Sequence, residues 1–155
     1  MICSILASTS LGGIGNRGTL PWPKHKEDLS WFKEHTTNNI VVMGRNTWED
    51  PMMPKPLPNR TNYVVSSHHV AKEYQHQVRW IPGTPVEAIK QVQKSNQKLY
   101  DATTDIVERV YLTRMKGDYW CDTRINLERY LSCFRIMTVR PGTNCTYEIW
   151  DRVLF

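Results

Sequence analysis

The stretch KEDLSWFKEHTTNNIVVMGRNTWE, residues 26–49, changes its periodicity halfway along, and that change decides the fold class. Its first half reads as a helix with Leu29, Phe32 and, less clearly, Trp31 at helical spacing. Asp28 lies four residues before Phe32 on the same face, so a carboxylate sits beside an aromatic ring on the inward side. Its second half holds a continuous apolar run, Ile40 to Met43, of the kind a buried strand carries, ending at Gly44. Arg45 and Thr47 follow, and a glycine leading into a polar helix start suits an anion. Helix, buried strand and glycine turn in this order belong to an α/β protein.

The flanking sequence extends the pattern. On the N-terminal side, Ile2 to Ala7 reads as a buried strand running into a glycine-rich loop, LGGIGNRGTLPW, residues 11–22. On the C-terminal side comes the proline-rich MPKPLPNRTNYVVSS, residues 53–67, with a strand over Tyr63 to Val65 and then Ser66 and Ser67. Val78 to Ile81 is a further strand. TPVEAIKQVQKS, residues 84–95, is a helix with Pro85 in its first turn and Ala88, Ile89 and Val92 facing inward. Val110 to Thr113 is another strand, and CFRIMTV and CTYEIWDRVLF form an antiparallel hairpin about the turn RPGTN, residues 140–144. The fold class is therefore α/β, with a mixed, mostly parallel sheet, flanking helices and a C-terminal antiparallel hairpin.

With 155 residues, the chain is expected to form one domain over residues 1–155. Hydrophobic residues make up 40% and charged residues 23%, a soluble balance, and no apolar run approaches the roughly 20 residues of a membrane span. The N-terminus MICSILASTS lacks a basic leader, so a cytoplasmic location is expected. Cys3, Cys121, Cys133 and Cys145 are scattered without a C-x-x-C pair and read as free thiols. Asn144 opens a glycosylation sequon, NCT, which has no consequence without secretion. Although His68 and His69 are adjacent, the histidine spacing does not predict a metal site. The net charge of +5 is spread without a basic block, which favours a solvated surface over a nucleic-acid footprint. A doubly charged substrate with a phosphate-rich cofactor accounts for that excess equally well.

In this order the pieces resemble the dihydrofolate reductase family. The resemblance rests on IGNRGTLPW (Ile14–Trp22), EDLSWFK (Glu27–Lys33), VVMGRNTWE (Val41–Glu49), PLPNRTNYVVSS (Pro56–Ser67), VYLTR (Val110–Arg114) and CDT (Cys121–Thr123). It implies reduction of 7,8-dihydrofolate with NADPH, by hydride transfer to C6 and protonation at N5. Asp28 matches the acid that partners the pterin edge, with Trp22 and Leu20 beside the reacting centre. Leu29, Phe32 and Trp22 would form an apolar wall that raises the acid's pKa. Ile5 and Leu57 would line the substrate site, Thr113 would bond both pterin and acid, and Arg60 would grip the glutamate-tail carboxylate. Glu27 is expected to face solvent. For the cofactor, Ala7 and Ile14 match main-chain partners of the nicotinamide amide, and the loop from Gly15 to Trp22, with Thr19 and Leu20, would close over the ring. Gly44, Arg45, Asn46 and Thr47 match the phosphate side, and Ser66 and Ser67 the 2′-phosphate side, which selects NADPH over NADH. Asp122 matches a loop residue that braces the closed lid.

The chain departs from the family pattern at one place. KSNQKLYDATTDIVERVYLTRM, residues 94–115, lacks the Gly-Gly that ends the family's central strand, and the chain is short there by about one strand's length. Either QKLY is the stump of that strand or Tyr100 begins the following helix, and in both cases the central strand is truncated. The expected state is a monomer, with a strand-exchanged dimer as the alternative way to pair the flanking strands. Two functional readings follow, a working reductase or a pterin-binding or protein-interaction module without turnover. Retention of Asp28, Trp22, Arg60, Arg45, Thr47 and Thr113 favours the reductase.

Overall fold

In the computed structural model the described residues are 1–69, 71–95 and 107–153. The expectations for QKLY, Tyr100 and the truncated central strand lie outside them. The chain divides into two compact units, Met1–Phe32 with Thr104–Phe155, and Lys33–Thr103.

The first unit is built on a four-stranded sheet of order β1-β6-β9-β8, where β1 is Cys3–Thr9, β6 Arg109–Met115, β8 Phe134–Gly142 and β9 Cys145–Arg152. β1 and β6 are parallel, and β6, β9 and β8 are antiparallel in turn. Flanked on both sides, β6 buries alternate residues on each face. Val110 and Leu112 pack against Leu127 and Leu131 of α4 (Leu127–Leu131), while Met115 joins Trp22, Trp31, Cys145 and Tyr147 on the other face. Burying a side chain such as Leu112, with none of its surface exposed, contributes about 1.5–3 kcal/mol.

Helix α1 (Lys26–Thr36) has the bounds its periodicity predicts, but a different face turns inward. Trp31 is buried, stacked at a tilt 4.8 Å from the Tyr147 ring, whereas Leu29 is 43% exposed. The helical step explains this correction. Asp28, Trp31 and His35 share one stripe three to four residues apart, which places Leu29 about 100° away from it.

The glycine-rich loop is more regular than its composition suggests. Gly13–Gly15 forms a short strand β2 that pairs with β7 (Thr123–Arg124). Asn16 and Thr19 then close a tight hairpin through bonds of 2.9 and 3.1 Å, with Arg17 at φ 51° and Gly18 at φ 79°. Positive φ at both central positions is the type I′ geometry that matches strand twist, and Gly18 adopts it without strain. Helix α4 and strand β7 were not foreseen. The hairpin turn is also tighter than RPGTN implied, because Gly142 pairs with Cys145 and leaves only Thr143 and Asn144 between them.

The second unit is a three-stranded parallel sheet of order β3-β4-β5, with β3 Ile40–Gly44, β4 Thr61–Val65 and β5 Val78–Ile81. Helix α2 (Arg45–Glu49) follows β3 directly, and α3 (Pro85–Ser95) packs Ala88 and Val92 on Tyr63 and Ile81. The start of α3 is a capping box. The Thr84 N–H donates to Glu87 Oε2 at 2.8 Å, and the Glu87 N–H returns to Thr84 Oγ1 at 3.3 Å. In the proline-rich loop, the buried Asn62 side chain accepts from Leu57 N at 3.1 Å and donates to the carbonyls of Leu57 and Arg60, both at 3.0 Å.

Candidate functional site

Asp28 stands in the first turn of α1 and is 8% exposed. Burial pushes its carboxyl pKa up, against a hydrogen bond from Thr113 and the attraction that His25 would add when protonated, while Glu27 adds to the rise. The two residues meet because β6 presents Thr113, only 1% exposed, on the face that α1 covers. Trp22 closes the same cluster, with Ile5 and Ala7 of β1 packed against it. The Trp22 indole N–H is buried and has no hydrogen-bond partner among the described residues. This part of the structure thus holds an acid with a raised pKa, a hydroxyl that orients it and a buried donor. That set can accept the amidine-like edge of a heterocycle and hold a proton near it.

The hairpin Asn16–Thr19 is tied from outside. The Arg17 N–H donates to Asp122 Oδ2 at 2.7 Å, and the Asp122 N–H donates to Gly15 O at 3.1 Å. The Arg17 amide holds the Asp122 pKa below the usual carboxylate range, helped by the Thr123 hydroxyl. Leu20, just past this hairpin, is 42% exposed. Ile14 and Gly15 lie in or beside β2, so their backbone is fixed by the ribbon. Glu27 is not a free surface carboxylate, because its Oε2 accepts from the Thr143 N–H at 3.0 Å. Gly142 beside it is obligatory for space, since a Cβ there would lie 2.5 Å from Tyr147 Cε2, 2.8 Å from Cys145 Sγ and 2.9 Å from Glu27 Oε1. Gly142→Ala is therefore expected to cost about 1–3 kcal/mol of stability, read as a lower denaturant midpoint at unchanged slope.

In the second unit, Arg45 and Ser66 line one cavity of about 460 Å³ together with Lys55, His68, His69 and Tyr74. Arg45 Nε is paired with Glu49 Oε1 at 2.7 Å, and Ser66 Oγ accepts from the His68 N–H at 3.1 Å. Gly44 is the N-cap of α2, and a Cβ there would meet nothing within 4 Å. Asn46, Thr47 and Ser67 are exposed and outside the cavity lining. Lys55, His68 and His69 were not anticipated. Basic residues on either side of a strand that ends in paired serines are the signal that would have found them. Arg60 is held by its own unit, donating from Nε to Thr36 Oγ1 at 3.0 Å and from a terminal nitrogen to Pro58 O at 2.9 Å.

Known proteins resemble this chain in sequence and in fold. A bifunctional dihydrofolate reductase-thymidylate synthase of Paramecium tetraurelia is 39% identical over 142 residues, 85% of this chain and 29% of that protein. The dihydrofolate reductase of Buchnera aphidicola is 47% identical over 60 residues, so the match spans only 36% of its length. A type 9 dihydrofolate reductase of Escherichia coli is 28% identical over 94% of this chain and 90% of its own. The solved dihydrofolate reductase of Enterococcus faecalis, complexed with NADP(H) and RAB-propyl, superposes with a TM-score of 0.78 at 26% identity, covering 98% of this chain and 96% of that one. The family described as dihydrofolate reductase matches residues 1–141, and the chain belongs to that family.

Proposed function

We propose that the protein reduces 7,8-dihydrofolate to 5,6,7,8-tetrahydrofolate with NADPH. The observation that carries this reading is the buried Asp28 carboxyl, bonded by Thr113 and raised in pKa by desolvation. A carboxyl of that kind can bind the pterin edge, and burial makes it take up a proton more readily than a free carboxyl does, which favours protonation at N5. Trp22 adds its buried N–H, and Phe32, Ile5 and Leu29 offer apolar surface to the ring. Arg60 and Leu57 would serve the tail of the substrate, with Arg60 as the charge partner of a carboxylate.

The residues present fit NADPH. The buried Asn16 Oδ1 has no hydrogen-bond partner among the described residues, which suits it to a carboxamide or hydroxyl donor. The cavity at Arg45, Lys55 and Ser66 offers cationic and hydroxyl groups to a phosphate. When bound, NADPH supplies the hydride that pterin C6 accepts. Ala7, Ile14, Gly15, Thr19 and Leu20 would hold the nicotinamide end, and Gly44, Arg45, Asn46, Thr47, Ser66 and Ser67 the phosphate end. The hairpin tied to Asp122 would exclude water from the reacting centre.

The decisive assay is the loss of NADPH absorbance on addition of dihydrofolate. Turnover above buffer is expected, and a folded sample that gives none would sink the reading. A second reading, binding without turnover, draws on the absence of any glycine between Gly83 and Gly117. It requires folate to raise the melting temperature while NADPH does not. Protection by both ligands would remove that alternative.

A further inference from the structure

His25 makes two hydrogen bonds that together assign its tautomer. The backbone N–H of Asp28 points at Nδ1 at 3.0 Å, and the carbonyl of Thr143 lies 2.6 Å from Nε2. A backbone N–H can only donate and a carbonyl can only accept, so Nδ1 carries the lone pair and Nε2 the proton. The ring is bound as a neutral imidazole.

His25 is also where α1 starts. Its carbonyl accepts from the Leu29 N–H at 3.0 Å, and its side chain satisfies the third helical N–H, that of Asp28. Thr143 sits in the turn between β8 and β9 and is held twice, its carbonyl by His25 and its N–H by Glu27 Oε2 at 3.0 Å. The first turn of α1, which carries Asp28, is thereby fastened to the closing hairpin.

We propose that His25 is a positioning residue for Asp28: as a neutral imidazole it ties the acid-bearing turn to the β8–β9 turn, and protonation of the ring releases that tie. This rests on the reading that Asp28 serves the reduction. A second proton on the ring places an N–H at Nδ1 directly against the Asp28 N–H, so two donors face each other. It also puts a positive charge at the N-terminal end of a helix, where the dipole opposes it.

The charged and titratable groups about the ring act in both directions. Glu27 and Asp28 of α1 attract an imidazolium, while Lys24 and Lys26 beside it and Arg140 of β8 repel it. Cys145 and Tyr147 of β9, with Lys116 beyond β6, complete the surroundings of the two carboxylates. If the carboxylates win, the ring must turn toward them and give up the Asp28 N–H. If they lose, the turn itself moves away. Asp28 is displaced in either case.

The test compares the wild type with His25→Asn, whose side-chain oxygen can still cap the Asp28 N–H but cannot titrate. The ring ¹⁵N resonances of His25 and the carboxyl ¹³C resonance of Asp28 are followed against pH in the ligand-free protein. The expected results are an Nε2-protonated ring at high pH and a step in the Asp28 resonance that coincides with the His25 titration. A ring protonated on Nδ1, or an Asp28 resonance indifferent to the His25 titration, would overturn the proposal. The wild-type spectra suffice for both results. In the variant that step should vanish.

A parallel measurement is kcat/KM for dihydrofolate over the same range. In the wild type it should fall about tenfold per pH unit below the His25 titration, and in His25→Asn that acid limb should be absent. Identical acid limbs in the two proteins would also overturn the proposal. A wholly inactive wild type would count against the reductase reading, and the resonance titration would still decide for or against the tie.

Discussion

Replacing Asp28 by asparagine is expected to lower dihydrofolate turnover by roughly 10²–10⁴-fold while raising the melting temperature near neutral pH. The two effects have one cause. Asp28 is 8% exposed, and burial raises its carboxyl pKa in the folded state. Between the unfolded pKa of about 3.9 and the higher folded value, the folded protein binds more protons than the unfolded chain. Stability from this group is therefore complete below the unfolded pKa and is lost as pH rises through the folded one. At neutral pH a charged carboxylate occupies a site that desolvates it. An asparagine side chain in its place would keep an oxygen for the Thr113 hydroxyl without the charge, so the fold gains what the chemistry loses. Steady-state kinetics and thermal unfolding at several pH values check the pair. A variant with wild-type turnover would remove Asp28 from the mechanism, and a variant melting below the wild type at pH 7 would contradict the desolvation argument.

The largest effect on stability is expected from Arg114→Ala. Its guanidinium grips Glu148 through two bonds of 2.8 and 3.1 Å, and Glu148 also accepts from Trp150 Nε1 at 2.9 Å. Burial raises the Glu148 pKa, but these bonds and the Arg114 charge outweigh it and hold the group below its ordinary value. Removing the arginine leaves a carboxylate that is 6% exposed without its counter-ion. A loss of about 3 kcal/mol follows, a fall of roughly 10 °C in melting temperature. The sign of its pH dependence identifies the cause. In the wild type the contribution is present above the unfolded pKa near 4.3 and disappears as pH falls through the depressed folded value. In the variant the unpaired acid takes up a proton more readily, so its deficit relative to the wild type should shrink on acidification. A deficit independent of pH would mean that lost packing, not an unpaired charge, is responsible.

Much of the fold was legible because it is written locally. The bounds of α1, the strand Val78–Ile81 and the helix begun by Thr84 and Pro85 each follow from periodicity and caps within about ten residues. Local signals failed where elements are short. Helix α4 has only five residues, too few for a helical period, and its one clear mark is the Asn126 side chain accepting from the Arg129 N–H at 2.9 Å. Strand β2 was hidden by its glycines, which read as loop although Gly13 is required by the close approach of Cys121 and Thr9. Periodicity also put Leu29 inward, because the pair Leu29 and Phe32 fits an apolar stripe as well as Asp28, Trp31 and His35 do until the sheet selects one.

The sequence by itself determined the α/β class, the place of Asp28 on an inward helical face and the family to which the chain belongs. Those depend on residue spacing within single elements and on the order of motifs along the chain. Only the tertiary structure decided that Thr113 reaches Asp28, that Arg45 and Ser66 share a cavity with Lys55 and the histidine pair, and that His25 joins the acid's turn to Thr143, 118 residues away. These meetings depend on strand register and on which faces pack together. Both are set by the burial of the whole core, so no local stretch of sequence contains them.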